Sequence, residues 1–185
     1  MGLFEFLMVL LSLIIGLGIT ELLNGVALSI RNKKTISLYW IHSLFVVIVF
    51  LALVQQWWEI WNLRDIQSWT FPGFLMMLGG PIGLYLIAHL LFPEPIEGLN
   101  FRTYYYEESL PILVLAILTV LVSSAFRPLV FGENIFSVDN LSSFALPVMF
   151  AAMAMTKNPR FHGFIVPFML IGILADILFV TFEIQ

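Results

Sequence analysis

Apolar residues recur along this chain in continuous runs of roughly 17–25 residues, the length that carries a helix across a bilayer. No other feature of the sequence restricts the fold as much. In hydrocarbon every backbone N–H and C=O must find its partner inside the protein, so only helices and closed barrels can cross. A barrel would need short segments alternating apolar and polar residues, and these runs do not alternate. Composition agrees: 61% of residues are hydrophobic and 11% charged, against about 25% charged in a soluble domain. The expected fold is all-α, a polytopic membrane protein built as a six-transmembrane-helix bundle in one domain, residues 1–185. Its spans are expected at about 3–30, 36–63, 69–92, 109–126, 141–156 and 162–182.

The breaks carry the orientation. The first span ends at "RNKK", the second at "RD", the third at "PEP", and Pro111 fits the start of the fourth, where its missing N–H costs nothing. The first run is too long for a signal-peptide core and lacks a basic leader, so it is expected to stay as a helix. Arg31, Lys33, Lys34, Arg102, Lys157 and Arg160 fall in alternate loops on one side, and the opposite loops hold Arg64 and Arg127. Basic loops face the cytoplasm, which places both termini outside. Trp57, Trp58, Trp61 and Trp69 then form an outer aromatic belt, and Tyr39 and Trp40 an inner one. With no cysteine there is no disulfide or thiolate metal site. A net charge of −4 with eight basic residues spread along the chain gives no footprint for nucleic acid.

Ionisable residues inside such spans are expensive and are candidate functional sites. Gly18, Glu21, Gly25 and Ser29 are spaced by three, four and four, so they share one helix face. Small residues on that face let another helix come close. Glu21 is therefore expected to point into the bundle, with Asn24 one turn away. His42 is its expected partner. At about 1.5 Å per residue, Glu21 lies roughly 15 Å from the basic loop and His42 roughly 12 Å, and helices joined by a short connection tend to be neighbours. Such a pair can hold a proton, or it can simply fasten two helices.

His89 and His162 lie toward the same side. His162, beside Arg160, reads as an interfacial residue. Histidines on facing helices can ligate haem, which makes His42 and His89 candidates, but no metal-binding spacing is present and no metal site is expected. A second polar group, Gln55, Gln56 and Asp176, is expected in the outer half, with Asp176 facing one of the two glutamines. Gly79, Gly80 and Pro81 mark an expected kink, because proline removes a helical hydrogen bond; broken helices line substrate sites in many transporters. The Phe92–Ser109 stretch, with Tyr104, Tyr105 and Tyr106, reads as the longest loop.

The runs "FLMVLLSLIIGLGITELL", "YWIHSLFVVIVFLALVQQWW" and "WTFPGFLMMLGGPIGLYLIAHLLFPE" resemble small bacterial multi-pass inner-membrane proteins that carry no assigned function. The resemblance implies a bacterial inner membrane and brings no activity, cofactor or catalytic residue. No nucleophile–base set, phosphate loop or metal motif is present, so catalysis is not expected. The leading expectation is a component that acts by helix packing: an accessory, scaffold or sensor subunit of a membrane assembly, or a homo-oligomer. The alternatives are a small proton- or solute-coupled transporter using Glu21 and His42, and a haem-binding electron carrier.

Overall fold

The computed structural model describes residues 2–64, 66, 69–94, 96–132 and 138–179. Six α-helices follow one another: α1 (Leu3–Arg31), α2 (Trp40–Glu59), α3 (Phe71–Leu90), α4 (Phe101–Phe131), α5 (Val138–Ala154) and α6 (Pro159–Phe179); a 3-10 turn, Ile60–Leu63, extends α2. There is no strand among the described residues, only a single parallel bridge between Ser37 and Asn100. Five helices, all but α5, are long and apolar enough to cross a membrane. The last residues of the expected sixth span, 180–182, lie outside the described ones.

Helices α1, α3, α4, α5, α6 and α2 touch in that order and close into a ring, with α2 also reaching across to α3 and α4. The order differs from that of the chain. Helix α1 packs mainly on α3 rather than on α2. The cause is written into α1. Its buried positions, Leu7, Leu11, Ile15, Gly18, Leu22, Gly25 and Ser29, repeat at three and four residues and form one narrow seam. Two glycines in that seam admit close neighbours. A Cβ on Gly18 would sit 3.0 Å from Leu53 of α2 and 3.4 Å from the Tyr85 Cα of α3, and one on Gly25 would run into the Phe92 ring just past the end of α3.

The glycines of α3 have the same use toward α4. A side chain at Gly79 would meet Val122, at Gly80 Ser123 and Gln56, and at Gly83 Thr119. Small residues bring backbones together where lipid gives no hydrophobic drive for association. Helix α3 continues through Pro81 as one helix, so Gly79, Gly80 and Pro81 do not break it.

Helix α4 begins eight residues before the expected start. Asn100 caps it, its side-chain oxygen accepting from the N–H groups of Arg102 (3.0 Å) and Thr103 (3.3 Å). Pro111 therefore lies inside the helix. The carbonyl it leaves without a donor is that of Glu107, an exposed residue, where water can serve it. The three tyrosines thus belong to the first turns of α4 and not to a loop.

Candidate functional site

The polar side chains that meet inside the bundle gather at the end where the α1–α2, α3–α4 and α5–α6 loops lie, here called the basic end. Two of these loops are tied together. The Ser37 N–H donates to the Leu99 carbonyl at 2.9 Å, and the Phe101 N–H to the Ser37 carbonyl at 3.0 Å. Beneath them α3 stops, leaving carbonyls with no partner of their own. Two side chains from other helices take these up. His42 donates from Nε2 to the Leu91 carbonyl at 2.9 Å, and the Tyr104 hydroxyl donates to the Leu90 carbonyl at 2.6 Å. The His42 ring is buried against Phe92 and Phe101, with centroids 5.6 and 4.6 Å away.

His162 is fully buried, at 0% exposure. Its Nε2 is 2.7 Å from the Thr156 carbonyl, which can only accept, so Nε2 carries the proton. In that tautomer Nδ1 accepts from the Tyr105 hydroxyl, 2.9 Å away. The side chain joins the α5–α6 loop to α4. Tyr39 and Tyr106 share a hydroxyl–hydroxyl bond of 2.9 Å, and the Tyr105 and Tyr106 rings stand edge-on to His162. His162 is thus not an interfacial residue, and Tyr39 is a buried member of this network and not a belt residue. The spacing of Tyr104–Tyr106 within a helix starting at Asn100 was the signal for both: it turns Tyr105 inward.

The expected Glu21–His42 pair does not form. The Glu21 Oε2 lies 3.5 Å from the His89 Nδ1, and His42 is engaged elsewhere. The reason is the ring order: α1 lies on α3, so the residue level with Glu21 is one of α3. Glu21 also sits on the flank of the α1 seam, whose centre is Leu22. The pair is open to the surroundings, with side chains 37% exposed for Glu21 and 62% for His89. Tyr85 stacks on His89 at 6.4 Å. Asn24 is exposed. His42 and His89, the candidate haem ligands of the alternative reading, are committed to different partners. Among the described residues no three His, Asp or Glu side chains come together as a metal site.

At the opposite end, the Gln55 side-chain amide donates both to Asp176 and, at 3.0 Å, to Glu59. Asp176 of α6 thereby meets Gln55 of α2. Gln56 takes no part in that contact and packs beside Gly80. Trp40, Trp57 and Trp61 are exposed, as belt residues are.

An all-helical chain with five helices of membrane-spanning length and apolarity has the build of a multi-pass membrane protein. Comparison with family models, with curated proteins and with solved structures gives no match.

Proposed function

We propose that the protein is a six-span bundle of the bacterial inner membrane, with both termini outside and the basic loops in the cytoplasm. In this reading it acts through helix packing, as an accessory, scaffold or sensor component of a membrane assembly or as a homo-oligomer. Helix α5, at 17 residues, stands at the short end of the spanning range; its place in the ring between α4 and α6 favours its crossing with them. The observation that carries the functional reading is the use made of the two buried histidines. Both spend their donors on backbone carbonyls of other segments, so the ionisable groups inside the bundle work as fasteners. Purification in mild detergent with chemical cross-linking tests it. A stable partner or a defined oligomer is expected, and a lone monomer would overturn the proposal.

The Glu21–His89 pair favours a second reading, a proton-coupled transporter. Its two members, 3.5 Å apart, are close enough to share a proton. Proton flux into liposomes that is abolished by Glu21→Gln supports transport; flux unchanged in that variant removes Glu21 from any such mechanism.

A further inference from the structure

A groove of about 640 Å³ opens at the basic end, lined by Tyr39, Trp40, Ile41, Arg102, Arg160 and Gly163 together with Pro159. It lies where the first turns of α2, α4 and α6 come together. Arg102 and Arg160 are both exposed, and among the described residues neither forms an ion pair with a carboxylate. Arg102 is held in place by its stacking over the Tyr39 ring, 6.0 Å from the centroid. Trp40 is 54% exposed, and its ring reaches over Gly163, where a Cβ would come within 3.3 Å of it. No side chain caps the start of α2, whereas Asn100 and Asn158 cap α4 and α6.

We infer that this groove binds the headgroup phosphate of an anionic phospholipid in the leaflet on the basic side. Two guanidiniums without carboxylate partners give the charge that a phosphodiester matches, and arginine presents donors in the fork such groups need. The uncapped turn of α2 adds backbone N–H groups to the same concavity. What distinguishes a lipid from a free anion is the surface that continues from the groove. Along α6 beyond Gly163, Phe164 and Phe168 are 69% and 56% exposed and stack on one another at 6.3 Å. Acyl chains have an aromatic track to lie on, with Trp40 at the headgroup level where indole rings settle. Basic pockets between helices on the cytoplasmic side are the recognised physical form of such sites.

The test uses the full chain in phosphatidylcholine vesicles, with and without phosphatidylglycerol. It reads the thermal midpoint and the lipid retained per protein by mass spectrometry. Phosphatidylglycerol is expected to raise the midpoint and to be retained. Arg102→Gln with Arg160→Gln should weaken retention by roughly tenfold. Arg160→Gln alone, at an exposed position, should give part of that loss without touching the Tyr39 contact. Lys33→Gln with Lys34→Gln, in a different basic loop, should change retention little. Equal loss in the two double variants would overturn the site, since generic surface charge would then explain it. Undiminished retention in Arg160→Gln would do the same. A midpoint raised as much by inorganic phosphate in pure phosphatidylcholine would replace the lipid by a free anion.

Discussion

At the basic end of the bundle, three side chains bond the backbone of another segment, besides the Tyr39–Tyr106 and Tyr105–His162 bonds. At the opposite end, side chains bond side chains. His42, Tyr104 and His162 each reach a carbonyl of a different segment, whereas Gln55 reaches Asp176 and Glu59 and the Trp57 indole lies at 3.4 Å from the Ser12 hydroxyl. The difference concerns what is lost when a partner is removed. A backbone carbonyl cannot turn away or change rotamer, so losing its donor leaves it unpaired, which is costly where it is buried, as at Leu91. A carboxylate near the end of a helix can turn to water. The basic end should therefore hold most of the fold's stability against single substitutions, and the opposite end should tolerate them.

The largest effect is expected for His162→Leu, which strands both the Tyr105 hydroxyl and the Thr156 carbonyl. A loss of about 3 kcal/mol is expected, read as a lowered unfolding midpoint in detergent; a loss no greater than that of a substitution at the opposite end would erase the contrast. His42→Phe keeps the ring between Phe92 and Phe101 and removes one bond, so a loss of about 1–2 kcal/mol is expected in the same assay. Combining it with Tyr104→Phe should exceed the sum of the two, because together they remove the side-chain donors of the adjacent Leu90 and Leu91 carbonyls; strict additivity would show that the two caps act independently. A cycle of Gln55→Ala and Asp176→Ala should give a coupling near 0.6 kcal/mol, the average for such contacts between membrane helices. Smallest of all, Glu21→Gln should shift stability by no more than about 0.5 kcal/mol, since its contact with His89 is long at 3.5 Å and weaker than an average polar contact between membrane helices. A larger cost there would mean that the pair is covered in the membrane and would favour the scaffold reading.

Most of the helices were legible because hydropathy reports them directly. Helices α1, Leu3–Arg31, and α3, Phe71–Leu90, begin and end within about two residues of the expected spans. Helix α4 starts earlier than Pro111 predicts because Asn100 caps it, and asparagine ahead of a helix is a cap signal. The tyrosine network follows from that start, since residues in a loop cannot be assigned a face. The polar pairing failed for another reason. Spacing places Glu21 near the buried face of α1, yet which helix lies against that face depends on which seams fit, and the glycines of α1 fit α3. Depth along the membrane can be counted from the sequence, but neighbours around the ring are decided by packing. The contact between Asp176 and one of the two glutamines needed only depth and a long glutamine side chain, and the structure selects Gln55.

The bridge between Ser37 and Asn100 has a mechanical consequence. It stitches the α1–α2 hairpin to the α3–α4 hairpin at one point beside their shared loops. The His42–Leu91 and Tyr39–Tyr106 bonds join the same two hairpins beside it. Sliding one hairpin along the other would break all of these bonds together, so the stitch fixes their register at the basic end.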